Sequence, residues 1–167
     1  MWSKIEEYFK GFPSQKKVAM LLLQRGFQIS DAGRVMCSSI AIPHTQIAKE
    51  LGIDRRVVDM TVGRILENPD VRKIYQGLQS IAFLRDTAPS LGLGVVVVSA
   101  MDASKPGIIG AVASKIAEHG LAIRQAIADD PYFTDDPKFT VITGGEIPGK
   151  LIEDLRKIEG VRNITVY

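Results

Sequence analysis

Two stretches in the last third of this chain repeat one order of signals, and that repetition restricts the fold more than any other feature of the sequence. From Leu93 to Ala128, and again from Pro137 to Tyr167, the chain passes through an apolar strand, a Pro-Gly pair, an amphipathic helix, a Gly and a second strand. In the first copy Val95-Val96-Val97-Val98 leads into Lys105-Pro106-Gly107, a helical stretch through Ala117, Gly120, and Ile123 to Ile127. In the second copy Phe139-Thr140-Val141-Ile142, Pro148-Gly149, a helix through Ile158, Gly160, and Ile164 to Val166 take the same places. Pro is tolerated at or just before a first helical turn, and Gly suits the left-handed residue that ends a helix. Two such units in tandem predict a β-α-β-β-α-β domain, a ferredoxin-like sandwich with two helices on one face of a four-stranded sheet. Such an architecture carries no function by itself, so its loops and the rest of the chain must supply it.

With 167 residues, 46% of them hydrophobic, the chain can bury one sizeable core or two small ones, and the pattern favours two. The net charge of +2 hides an asymmetry. Residues 1–79 hold 12 Lys and Arg against 8 Asp and Glu, whereas residues 80–167 hold 9 against 11. A positive first half favours a polyanionic partner, although +4 on a small domain is also ordinary surface variation. Cys37 is the only cysteine, which excludes an intrachain disulfide and a cysteine-based zinc cluster. His44 and His119 lack metal-ligand spacing, so no metal is expected. The beginning has early acids and no signal-peptide core, and no stretch approaches a membrane span; a cytoplasmic, soluble protein with no membrane partner is expected.

Within residues 1–79 the spacing predicts a short helix around Ile5 to Phe9 and another from Ser14 to Arg25, ending near Gly26 with Val18, Leu21 and Leu22 on one face. Gly33 to Ile42 reads as a short strand or extended segment. Pro43 to Leu66 is more specific: Pro43 opens a helix containing Ile47, Ala48 and Leu51, Gly52-Ile53 make a tight turn, and Asp54 caps a second helix with Val58, Val62 and Ile65 inward. The spacing is that of a helix-turn-helix, in which Ala48 must be small where the helices cross and Gly52 can carry the backbone through the turn. If the second helix enters a major groove, its outward positions are Arg55, Arg56, Met60, Gly63 and Arg64. The alternative is an αα-hairpin with a solvated face, for which Asp59 argues because a carboxylate near phosphate is repelled. DNA binding is the favoured reading, with Arg55, Arg56, Met60 and Arg64 as its residues. A helix from Pro69 to Gly77, carrying Val71 and Ile74 with Leu78 just beyond, is expected to pack under the pair. Residues 80–92 then read as a linker, with Ile81 to Leu84 apolar enough to dock, between a helical domain (1–79) and a sandwich domain (93–167).

With both halves read, the chain resembles an archaeal family of predicted regulators of amino acid metabolism, which join a helix-turn-helix to an ACT domain. In the first half the resemblance rests on Ile47-Ala48-Lys49-Glu50-Leu51-Gly52-Ile53-Asp54-Arg55-Arg56-Val57-Val58. In the second it rests on Leu91-Gly92-Leu93-Gly94, Lys105-Pro106-Gly107-Ile108 and Ile123-Arg124-Gln125-Ala126-Ile127. It implies an α+β chain, a helical helix-turn-helix domain followed by a ferredoxin-like βαββαβ ACT domain, with an amino acid or other small metabolite as effector and no cofactor. The loop chemistry fits that use, because Gly107 lets a ligand approach the backbone and the N–H groups of Ile108, Ile109 and Gly110 can hold a carboxylate. Asp102 or Ser104 would accept from an ammonium group. The expected ligand site is Asp102, Ser104, Pro106, Gly107, Ile108, Ile109 and Gln125. Serine-responsive ACT domains resemble Asp-x-Pro-Gly or Asn-x-Pro-Gly with a second amide after the helix; here Ser104 and Ala122 stand near those positions, and both amides are missing.

The acidic stretch Asp129 to Pro137 is longer than a hairpin needs and could hold a cation or a ligand ammonium, but a solvated loop with Pro and Asp turn chemistry is the favoured reading. No paired acid, Ser-His or Cys-His arrangement is defensible from spacing, so no enzymatic activity is expected. The sequence reading is a ligand-responsive transcriptional regulator acting as a homodimer through its ACT domains. The alternative is a regulatory or interaction protein that binds no DNA, whose ACT domain serves dimerisation or docking on a metabolic enzyme.

Overall fold

The structure, a computed structural model, describes residues 2–167. It is a mixed α+β chain with two antiparallel sheets, and it divides into two compact units, Met1–Ala82 and Phe83–Tyr167.

The first unit opens with helix α1 (Trp2–Tyr8) and α2 (Pro13–Arg25). Val18, Ala19 and Leu22 repeat at helical spacing and are fully buried, and α2 stops at Gly26, whose φ of 65° turns its N–H back to the carbonyls of Leu22 and Leu23. A small antiparallel meander follows, β1 (Gln28–Ile29), β2 (Val35–Cys37) and β3 (Ile40–Ile42), where the sequence indicated one extended segment. Ile29 and Val35 pair across it and point into the core. Helices α3 (His44–Leu51), α4 (Arg55–Glu67) and α5 (Pro69–Gln76) complete the unit. Asn68 starts α5 by accepting from the N–H groups of Asp70 and Val71. The buried face of α5 is Val71 and Tyr75, one turn apart, in place of the expected Val71, Ile74 and Leu78. The Tyr75 hydroxyl donates to the Ala19 carbonyl at 3.0 Å, so the largest side chain of this core is also polar-anchored.

The second unit runs β4 (Gly94–Ala100), α6 (Ile108–Glu118), β5 (Ile123–Ala128), β6 (Lys138–Thr143), α7 (Gly149–Arg156) and β7 (Val161–Val166). Its strands form one antiparallel sheet in the order β5-β6-β4-β7. The four-valine run lies in the central strand β4. Val96 and Val98 face α6 and α7 in a core with Val112, Ile116, Val141, Leu151 and Leu155. Val95 and Val97 face the other way.

That second face is covered. Residues 80–92, read from sequence as a linker, contribute a compact turn in which Leu84 and the fully buried Ala88 pack on Val95, Val97 and Ile142. The Ala88 N–H bonds the Leu84 carbonyl at 2.8 Å, a 3₁₀ turn follows at Pro89–Leu91, and the Leu93 N–H returns to the Ala88 carbonyl at 3.1 Å. A continuous apolar run is stable only in a strand buried on both faces, and this turn supplies the second cover. Docking belongs to Leu84 and Ala88, whereas Ile81 and Phe83 of the expected docking segment are exposed.

The two Pro-Gly pairs are out of phase by one residue. Gly107, with φ 101°, is the cap before α6, whereas Pro148 is the cap before α7 and Gly149 is already helical.

Candidate functional site

Two surfaces carry the residues singled out by sequence, one in each unit. In the first, α3 ends at Gly52, whose φ of 62° lets its N–H reach the carbonyls of Ala48 and Lys49 while the Ile53 N–H bonds Ala48 at 3.0 Å. Only Gly52, Ile53 and Asp54 separate α3 from α4. The Asp54 carboxylate accepts from the Arg56 N–H at 2.7 Å and so starts α4. Ile47 and Ala48 are buried on α3, and Val58, Thr61, Val62 and Ile65 on α4, at the i, i+3, i+4, i+7 spacing of a helix seated on a core.

The opposite flank of α4 is open. Arg55 (63% side-chain exposure), Arg56 and Met60 (53%) are exposed within its first two turns. Arg64 is placed differently from the expectation. Its guanidinium carbon lies 3.8 Å from the centroid of the Phe12 ring, and its carbonyl accepts from the Tyr8 hydroxyl at 2.7 Å. An arginine stacked on an aromatic face is held there by cation–π attraction and weak hydration, so Arg64 ties α4 to the α1–α2 corner. Asp59 sits between a histidine ring and a guanidinium: Oδ1 is 2.6 Å from His44 Nδ1, and Oδ2 is 3.3 Å from Arg55 Nε. The hydrogen bond from His44 is the largest influence and holds the Asp59 carboxyl below its ordinary range; burial opposes it, and the Arg55 charge, a lesser influence than burial, adds to the lowering.

In the second unit, the loop from Met101 to Gly107 joins β4 to α6. A hollow of about 130 Å³ opens beside it. One wall is Pro106, Gly107, Ile108 and Ile109; the other is Ala128 and Asp129 at the end of β5 with Pro137, Lys138 and Phe139 at the start of β6. The first intrahelical bond of α6 is Ala111 N–H to the Gly107 carbonyl, 2.9 Å, so the N–H groups of Ile108, Ile109 and Gly110 precede the helical ladder. Lys138 Nζ donates to the buried Ser99 hydroxyl at 2.9 Å and to Asp136 at 2.5 Å. A second, shallower depression of about 420 Å³ lies on the other side of the loop, between residues 105–108, Met101, and Ile158 to Gly160.

Of the seven expected ligand residues, the structure gathers Pro106, Gly107, Ile108 and Ile109 on the hollow. Asp102 and Ser104 line neither depression; they satisfy each other, the Asp102 carboxylate accepting from the Ser104 hydroxyl at 2.6 Å and its N–H at 2.9 Å. Those two bonds, the hydroxyl's first, hold Asp102 below the usual carboxylate range. Gln125 lies on the outer face of the sheet, where its side-chain oxygen accepts from the Leu84 N–H at 3.0 Å and fastens the covering turn. Sequence reasoning missed Lys138 and Phe139 and favoured a solvated loop for Asp129; all three reach the hollow from about 20 to 30 residues further along. The acidic stretch follows turn chemistry: Asp130 accepts from the Tyr132 N–H, and Asp136 is tied to Lys138 and Arg162. Among the described residues, no group of three His, Cys, Asp or Glu side chains is gathered as metal ligands would be, and no helix is long and apolar enough to cross a membrane.

No family model and no curated protein matches this chain. Among solved structures it aligns with a transcriptional regulatory protein from Pyrococcus furiosus, a member of the ASNC family, over 92% of this chain and 85% of that one. The identity is 13% and the TM-score 0.28, and at that score the alignment does not establish a shared fold.

Proposed function

We propose that this protein is a DNA-binding regulator of transcription, a helix-turn-helix unit joined to a ferredoxin-like ACT domain that responds to an amino acid or a related small metabolite. The observation that carries the DNA half is the α3–α4 pair: a three-residue turn, a capped second helix with a buried inner face, and Arg55, Arg56 and Met60 on its open flank. A helix presented in this way fits a major groove, with guanidinium groups available to phosphate and base edges. The β5-β6-β4-β7 sheet order and the hollow beside Gly107 support the sensory half. In a homodimer through the ACT domains, two recognition helices would need to lie about 34 Å apart to reach successive major grooves.

Binding of genomic fragments measured against salt tests the DNA half. Each cation that neutralises a phosphate contributes about 0.9 to the steepness with which log K falls against log salt. Arg55→Glu with Arg56→Glu removes two such cations and adds two repelling charges, so it should abolish binding that the wild type shows at low salt. No wild-type affinity at low salt would sink the reading.

A second reading is favoured by Asp102 and Ser104 bonding to each other and by Gln125 fastening the outer turn. In it, the ACT domain only dimerises the chain or docks it on a metabolic enzyme. Thermal-shift screening against the twenty amino acids separates the two, because a ligand at 100 times its Kd adds about 2.7 kcal/mol to the folded state. Flat curves with every amino acid favour the second reading.

A further inference from the structure

The open flank of α4 carries one acidic side chain among its basic ones. Taken alone, a carboxylate there weakens attraction to a polyanion. Its surroundings give it another task. Asp59 follows Arg55 by one helical turn, and its Oδ2 lies 3.3 Å from the Arg55 Nε. Its Oδ1 lies 2.6 Å from Nδ1 of His44, the first residue of α3, whose ring is only 17% exposed. The carboxylate is thus fixed on its inner side by the neighbouring helix and holds the exposed guanidinium on its outer side. A guanidinium held through Nε still has both terminal amino groups, and this pair of parallel donors matches the N7 and O6 acceptors that guanine shows in the major groove. Arg56 differs: its backbone N–H is engaged by the Asp54 cap, and its side chain is exposed beside the helix start, where positive charge meets phosphate without regard to sequence.

We propose that Asp59, braced by His44, is a positioning residue that makes Arg55 the guanine-reading side chain of α4, while Arg56 supplies sequence-independent phosphate contact. The inference rests on the DNA-binding reading above. It also inverts the simplest expectation for Asp59. If the carboxylate only repels phosphate, removing its charge strengthens binding to every duplex alike. If it positions Arg55, removing its charge erases discrimination at one base pair.

The test uses the full chain. Wild type is first used to select sites from a randomised duplex library at about 50 mM salt, where phosphate contacts are strong. Dissociation constants are then measured for the selected duplex, for versions with each G·C pair changed in turn to A·T, and for scrambled DNA. Wild type should discriminate at one G·C pair by about 5- to 150-fold, the range of a good bidentate contact. Asp59→Asn should lose most of that factor at that pair alone while binding scrambled DNA as well as wild type or better, and His44→Gln should lose part of it. Arg56→Gln should weaken binding to all duplexes equally and lower the salt slope by about one. Should Asp59→Asn fail to fold, as judged by its melting curve, Arg55→Lys retains the charge without the fork and should lose the same factor at the same pair. Uniformly tighter binding by Asp59→Asn with discrimination intact would overturn the proposal and leave DNA binding standing. Failure of wild type to bind any duplex at low salt would overturn both.

Discussion

Gly26 and Gly52 form a matched pair that separates backbone conformation from crowding. They close α2 and α3 with almost the same geometry, φ 65° and ψ 30° against φ 62° and ψ 37°, and each N–H turns back to two helical carbonyls. Their surroundings differ. A methyl group on Gly52 would meet nothing within 4 Å, whereas on Gly26 it would stand 2.4 Å from the Gln79 carbonyl oxygen, 2.7 Å from its carbon and 2.9 Å from the Ser80 nitrogen. Alanine at either position costs about 1–2 kcal/mol for a left-handed backbone. At Gly26 the backbone of residues 79–80 must also retreat, because no side chain is there to swing aside; overpacking of this kind costs about 1–3 kcal/mol. The retreat draws the Ser80 hydroxyl away from the Arg25 carbonyl, now 2.7 Å distant, for about 1 kcal/mol more. Gly26→Ala should therefore exceed Gly52→Ala by about 2–4 kcal/mol. Urea unfolding followed by far-UV circular dichroism measures both, with comparable m-values required for the comparison. A difference below about 1 kcal/mol would show that the contact with residues 79–80 does not constrain the native state, and the reasoning would fail.

Three further outcomes follow from other parts of the molecule. Burial pushes the Tyr75 phenol far above its ordinary value of 10.0, so the unfolded chain loses that proton first and stability should fall as pH rises past about 10; absorbance titration should show Tyr75 ionising only with unfolding. Tyr75→Phe should cost about 1 kcal/mol, and ionisation of all four tyrosines in the intact fold would contradict the assignment. Ala88→Asp places a charge against Val95, Val97 and Ile142 and should cost at least about 2 kcal/mol, opening residues 84–93 to limited proteolysis; an unchanged cleavage pattern would mean that the turn is not seated there. Asp154 is held below the usual carboxylate range by Lys157 first and then by His119, so its contribution is present above about pH 4 and disappears as pH falls further; Asp154→Asn should flatten the acid limb of the stability profile, and an identical limb would refute the pairing.

The parts of the fold visible in the sequence are those governed by neighbours in the chain. Gly52, Asp54 and the spacing of Val58, Val62 and Ile65 mark α3 and α4 because caps and helical faces are local, and the Pro-Gly and Gly signals of the second half mark α6 and α7 for the same reason. The β1–β3 meander left only a trace. Its strands are two and three residues long, too short for alternation to register, and the turn between β2 and β3 places Ser38 at φ 52° without an Asn-Gly signature. The turn around Ala88 resembled a connection because its small residue and proline are ordinary loop chemistry; its burial comes from a sheet laid down later in the chain. The site residues divide in the same way. Pro106 to Ile109 are positioned by their own helix start, whereas Gln125 was drawn to a partner 41 residues away and Arg64 to the Phe12 ring. Arg55 and Asp59 are visible as an i, i+4 pair, but the His44 contact that completes the group crosses the turn between two helices.

Lys105 to Ile108 border both depressions of the second unit, the hollow toward Asp129 and Lys138 and the wider one toward Ile158 and Gly160. A partition shared by two rooms cannot move into one without enlarging the other. Any molecule seated on either side therefore pushes or props the same four residues, which lead directly into α6.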